Sequence, residues 1–191
     1  MKLLGLLIVV MVLSGCATLN VEQCRRGDWY GIGLADGRDG LPAADQLDRH
    51  MQACARHGVR VDMRLYQQGH TQGLLDYCRI DNAFDTGLRG QRYRHVCPPE
   101  IDPLFDHYNR AAYRVYDLRR QLDSAERWFF SSEYRLLNRN LSPKNRRWLR
   151  DDIREFDWRR DQLRYELYKS ERYLFLLMDE ARDWERASDP R

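Results

Sequence analysis

Five cysteines and five histidines are the side chains of this sequence best able to do chemistry, and their spacing narrows what that chemistry is. Cys16 stands apart near the start, while Cys24, Cys54, Cys78 and Cys97 follow without any Cys-x-x-Cys pair. His50, Cys54 and His57 fall on one helical face, a spacing that zinc sites use, but the paired cysteines of such sites are missing. All five histidines, His50, His57, His70, His95 and His107, are scattered and otherwise read as surface residues. Asp36 and Asp39 are three apart and share a helix face, where carboxylates charge a helix end more often than they form an acid–base pair. No Gly-x-Ser-x-Gly elbow, Ser-x-x-Lys, His-Glu-x-x-His or calcium loop is present. The reading therefore names no catalytic residue, no metal and no cofactor, and leans against an enzyme.

A second candidate is electrostatic. From Arg135 to Arg150 the basic residues Arg135, Arg139, Lys144, Arg146, Arg147 and Arg150 occur without one carboxylate. Arg135 and Arg139 suit a helix C-terminus, whereas Lys144, Arg146 and Arg147 enter the first turns of the next helix, where the macrodipole disfavours cations. Arg139, Lys144, Arg146, Arg147 and Arg150 are thus a candidate anion-binding tip, with a solvated turn as the plainer account. Overall charge adds nothing to this: 32 basic against 29 acidic residues leave +3, too little to argue for nucleic acid. The 43% hydrophobic and 12% aromatic content is enough for a packed core, and 32% charged residues fit long solvated helices.

The start of the chain is an address. Lys2 precedes the apolar stretch Leu3–Leu13, and Leu13-Ser14-Gly15-Cys16 closes it. Eleven or so residues at about 1.5 Å each are too short to span a bilayer. Leu-Ser-Gly-Cys resembles the processing signal of bacterial lipoproteins, in which the cysteine is lipidated and becomes the first mature residue. Ala17, where an Asp would resemble an inner-membrane retention signal, favours the outer membrane. Residues 1–15 are then a signal peptide and 16–23 a lipidated tether. An oxidising periplasm implies two disulfides among Cys24, Cys54, Cys78 and Cys97. Three connectivities are open; the one adopted joins nearest neighbours, Cys24–Cys54 and Cys78–Cys97, with links from Cys24 to Cys78 or Cys97 as the others.

Glycines mark the segment between the cysteines. Tyr30-x2-Gly33-x3-Gly37 is echoed by Tyr66-x2-Gly69-x3-Gly73 and, more loosely, by Phe84-x2-Gly87-x2-Gly90. In a helix each such glycine costs about 1 kcal/mol relative to alanine, so something offsets it. Close approach of two helices is the structural account. The functional one is a ligand groove lined by Trp29, Gly33, Asp36, Gly37, Tyr66, Gly69, Gly73 and Tyr77. Cys24-x3-Asp28-Trp29-x3-Gly33-x2-Asp36-Gly37-x2-Gly40 resembles the opening of bacterial lipoproteins that carry the domain of unknown function 2799. Tyr66-x2-Gly69-x3-Gly73-Leu74-x2-Tyr77-Cys78 and Tyr93-x2-Val96-Cys97-Pro98 resemble that family's later motifs, so that the likeness runs from about Cys24 to Ala111. Ala83 and Ala111 stand where that pattern has glycine. The resemblance implies a lipid-anchored envelope protein and no stated activity.

These candidates are positioned by helices. Asp28 and Asp62 read as N-caps, with a helix over Ala44–His57 between them that turns Leu47, Met51, Cys54 and Ala55 inward. Beyond Pro98-Pro99, Asp102-Pro103 opens a long helix as N-cap and first-turn proline, and Ser142-Pro143 opens its return. The first carries a 3-4 seam, Ile101, Leu104, Tyr108, Ala111, Val115, Leu118, Leu122, Ala125, Phe129, Ser132 and Leu136. The second carries Leu149, Ile153, Phe156, Arg160, Leu163, Leu167, Ser170, Leu174, Leu177, Ala181 and Trp184. Folded back, they match level for level, Leu136 on Leu149, Leu118 on Leu167 and Ile101 on Trp184, with Arg160 opposite Ala125 and within reach of Glu126 or Asp157.

The expected fold is all-α: a small disulfide-stapled helical domain, 24–100, then an antiparallel coiled-coil hairpin, 101–187, and a frayed tail, 188–191. The expected role is structural, a scaffold or adaptor on the periplasmic face of the outer membrane, bound to a membrane by its anchor and to an envelope protein, glycan or anionic lipid. The rival is a ligand-binding or catalytic module built on Trp29–Gly40 and Tyr66–Cys78.

Overall fold

A computed structural model describes residues 19–188 of the chain, and every regular element in it is an α-helix. The signal segment, Cys16 and the last three residues lie outside the described residues, as does the side chain of Trp184. The chain divides into two compact units between Tyr77 and Cys78. That is well before the Pro98-Pro99 joint at which the sequence reading divides it.

The first unit is built from α1 (Val21–Arg26), α2 (Trp29–Arg38), α3 (Ala43–Ala55) and α4 (Met63–Tyr77). Its starts follow from local chemistry. Asn20 and Gln23 form a capping box at α1, Asp28 accepts from Gly31 N at 2.9 Å, and Asp62 accepts from Leu65 N at 3.0 Å. Leu19, Cys24, Trp29, Cys54 and Tyr66 make the core, flanked by Ile32, Leu47, Val59, Val61 and Leu65. The Cys24–Cys54 disulfide ties α1 to α3. On the chain-entropy account a loop of 30 residues is worth about 3–4 kcal/mol. The inward face of α3 differs from expectation: Gln46, His50, Ala53 and Cys54 are buried, while Met51 is 38% exposed and Ala55 faces water. The disulfide at Cys54 and a polar partner for His50 set this rotation, overriding the hydropathy of Met51.

The second unit holds α5 (Ile80–Leu88), α6 (Asp102–Leu136) and α7 (Pro143–Ser188). α6 carries two adjoining buried stripes in its first half. Phe105, Asn109 and Ala112 belong to one, and Gly87 of α5 lies so close that an added methyl would meet the Ala112 Cβ at 2.6 Å. This packing is why α5 belongs with α6. Tyr108, Val115, Leu118, Ala125 and Ser132 are the fully buried members of the other stripe, facing α7. All eleven predicted seam positions of α6 are buried or half-buried, as are the ten described ones of α7. Cross-helix pairs run in opposite directions along the two helices: His107 with Tyr173, Arg114 with Glu166, Glu126 with Arg164, and Trp128 stacked on Phe156 at 3.6 Å. Asp102 is not the expected N-cap, since Ile101 occupies that position. The Asp102 carboxylate instead takes the Tyr93 hydroxyl at 2.7 Å and His95 Nδ1 at 3.3 Å. The Cys78–Cys97 disulfide closes the loop that carries Tyr93 and His95.

Candidate functional site

The glycine stripes meet each other. A methyl on Gly33 would lie 2.1 Å from the Tyr66 carbonyl oxygen and one on Gly37 2.3 Å from that of His70. Reciprocally, a methyl on Gly69 or Gly73 would lie 2.0 Å from the Tyr30 carbonyl oxygen or 2.3 Å from that of Leu34. Backbone of one helix therefore fills the space above each glycine of the other. The groove read from these residues is the α2–α4 crossing itself, with Trp29, Tyr66 and Tyr77 buried around it. An open concavity of about 340 Å³ lies elsewhere, between α5 and α7, lined by Ile80, Phe84, Phe175, Met178 and Ala181, with Asp85 beside them.

A polar network lies beside the crossing. Tyr66, with no solvent exposure, donates its hydroxyl to Asp36 Oδ2 at 2.8 Å, and His50 Nε2 stands 2.8 Å from the same oxygen. His70 Nε2 donates to the Leu41 carbonyl at 2.7 Å, and Nδ1 has no hydrogen-bond partner among the described residues. Burial, then the hydrogen bond to Asp36, pushes the Tyr66 phenol well above its ordinary range. His50 and His70 are thus not the surface residues expected, nor is Asp36 a surface charge. Three groups converge, and both the Tyr66 hydroxyl and His50 Nε2 are spent on the same Asp36 oxygen. The zinc alternative also fails, because Cys54 is oxidised to Cys24 and His57 is exposed.

In the second unit the corresponding hub is Asn109, which is 1% exposed. Its Oδ1 accepts from Tyr93 N at 2.9 Å, and its Nδ2 reaches Thr86 Oγ1 at 3.0 Å and the Gln91 carbonyl at 3.1 Å. One side chain thus ties α5, the disulfide loop and α6 together. The sequence reading did not single out Asn109. The signal was available, since Phe105, Asn109 and Ala112 repeat the 3-4 spacing one residue beside the predicted seam.

At the hairpin end the five candidate cations divide. Arg146 donates from Nη1 to the Leu136 carbonyl at 2.6 Å and from Nη2 to the Asn138 carbonyl at 2.9 Å. It caps α6, where the dipole favours a cation, and so is not a free anion-binding group. Arg139, Lys144, Arg147 and Arg150 are exposed and, among the described residues, make no ion pair. Arg160 is 8% exposed, lies over the Phe129 ring at 3.9 Å and pairs with Asp157, while Glu126 goes to Arg164. Packing of its guanidinium on an aromatic face explains how a seam tolerates it.

Residues 28–114 match the family model described as protein of unknown function, DUF2799. The match to that family model runs from α2 into the first half of α6 and takes in both glycine crossings and both polar hubs. No curated protein and no solved structure matches the chain.

Proposed function

We propose that this protein is a lipid-anchored component of the bacterial envelope, held at the outer membrane through Cys16 and facing the periplasm. The α6–α7 pair is an antiparallel coiled coil that serves as a scaffold or adaptor for an envelope partner. The observation that carries the reading is a second stripe on α7. Trp158, Tyr165, Tyr168 and Phe175 are between 58% and 64% exposed and repeat at helical seven- and three-residue steps, roughly opposite the seam. Monomeric proteins rarely leave so many aromatic side chains on one solvated face unless it meets something. Two disulfides within the described residues suit an oxidising compartment. No described helix is long and apolar enough to cross a membrane, so in this reading attachment falls to the lipid.

Cross-linking and pulldown from envelopes test the role. The comparison is full-length protein against a variant in which Trp158, Tyr165, Tyr168 and Phe175 are all replaced by Ser, which removes the stripe and leaves the α6–α7 seam in place. Partners lost from this variant support the adaptor reading, and an unchanged set of partners overturns it. Cys16→Ser tests the anchor: processed protein still held in the outer membrane would refute lipidation.

A further inference from the structure

From the hairpin end we infer an anionic bilayer surface as its docking partner, an inference that rests on the envelope reading above and gives the tip its own ligand. Two kinds of side chain coincide there. Arg139, Lys144, Arg147 and Arg150, together with Arg135, are exposed cations that make no ion pair among the described residues, and the nearest carboxylate of the return helix, Asp151, is held by Arg154. Interleaved with them are large apolar groups: Tyr134 is 77% exposed, Leu137 75%, Phe130 62% and Trp148 59%. Phe130, Tyr134 and Leu137 follow one another at i, i+4 and i+7 along the end of α6. Lys144, Arg147 and Trp148 share a face of the first turns of α7. At about 1.5 Å per residue, all of them lie within roughly 10 Å of the turn.

That depth matches the roughly 5–10 Å to which interfacial side chains enter the headgroup boundary. Tyr and Trp place a ring at that boundary with a polar end toward water, and long cations lift their charge to the phosphates. The shape favours a bilayer over an acidic protein. The end of two helices is convex and on the order of 200 Å² across, whereas a stable protein interface needs about 800 Å² from each partner. A bilayer is continuous and needs no matching concavity. Arg146 is excluded from this surface because it already holds the Leu136 and Asn138 carbonyls.

The test is flotation of the full mature chain, residues 16–191, carrying Cys16→Ser so that no acyl chain contributes. The vesicles are phosphatidylcholine alone and phosphatidylcholine mixed with phosphatidylglycerol. Binding to the mixed vesicles only, weakening as salt rises, is expected. Lys144→Glu with Arg147→Glu should reduce it by at least about tenfold, given roughly 1 kcal/mol per basic residue near an anionic surface. Trp148→Ser should reduce binding that persists at high salt. Reversal of two exposed cations of the first unit, Arg56→Glu with Arg60→Glu, should leave binding intact, and circular dichroism should show all variants helical. Equal flotation of wild type and the Lys144/Arg147 variant overturns the inference. So does a failure to float on mixed vesicles, and the tip would then belong to an acidic protein or to solvent. Because this protein lacks the acyl chain, the result is independent of whether Cys16 anchors the native one.

Discussion

The Gly33 Cα faces the Tyr66 carbonyl so closely that a methyl group added there would sit 2.1 Å from the oxygen. In an open helix, Gly→Ala gains about 1 kcal/mol from backbone entropy. At this crossing the neighbour is backbone and cannot step aside, so overpacking reverses the sign. Gly33→Ala and Gly69→Ala should each destabilise the first unit by about 1–3 kcal/mol or more in urea melts. Stabilisation by either would mean that α2 and α4 are further apart.

Tyr66 and Asp36 predict an alkaline limit. The phenol is held above its ordinary value of 10.0 first by burial and then by its bond to Asp36. A group whose pKa is raised on folding contributes stability that is intact below the unfolded value and lost as pH climbs above it. The Tyr66 contribution to the stability of the first unit should therefore be constant below about pH 10 and fall above it. Tyr66→Phe should remove that component of the fall at a cost of about 1–2 kcal/mol at neutral pH. Ultraviolet titration should show one tyrosine fewer ionising late, only as the first unit unfolds, in Tyr66→Phe than in wild type.

What could be read in advance follows from the range of each interaction. The α6–α7 seam was legible because a 3-4 repeat is a property of one helix and needs no knowledge of its partner. The caps Asp28, Asp62 and Ser142 were legible for the same reason, each bonding within three residues. Asp36, His50 and Tyr66 were not, because their separations of 14 and 30 residues are closed only when α3 and α4 both pack on α2. A polar residue on such a helix looks solvent-facing until its partner is placed. The division at Tyr77 depends on the narrower stripe of α6 on which α5 packs, and in the sequence that stripe lies one residue beside the longer seam that faces α7.

Asn109 tests the importance of that stripe. It satisfies the Tyr93 amide as well as the Thr86 hydroxyl and the Gln91 carbonyl. Replacing it by Leu or Ala strands buried polar groups on α5 and the disulfide loop, each worth about 1–3 kcal/mol when unsatisfied. Asn109→Leu should lower the stability of the second unit by about 2–4 kcal/mol, read by thermal or denaturant melts. Hydrogen exchange should quicken at Tyr93 and along α5 before it does along the distal part of α7. A uniform change along α7 would mean that the network does not localise its effect.

The three cations that open α7 should respond differently to mutation, although the sequence places them in one cluster. Arg146 spans two carbonyls at the end of α6, at 2.6 and 2.9 Å, so its charge meets the negative end of one dipole while sitting in the positive end of the next. Lys144 and Arg147 have no such partner and feel the unfavourable dipole of α7 without compensation. Arg146→Ala should therefore destabilise the hairpin by about 1 kcal/mol, and Arg146→Glu by more, because a carboxylate would face the freed carbonyls. Lys144→Glu and Arg147→Glu should each stabilise it by a few tenths of a kcal/mol at low salt, an effect that fades as the Debye length shrinks. Denaturant melts of the single variants at low and high salt separate the cases. If all three reversals move stability in the same direction, Arg146 is not acting as a cap.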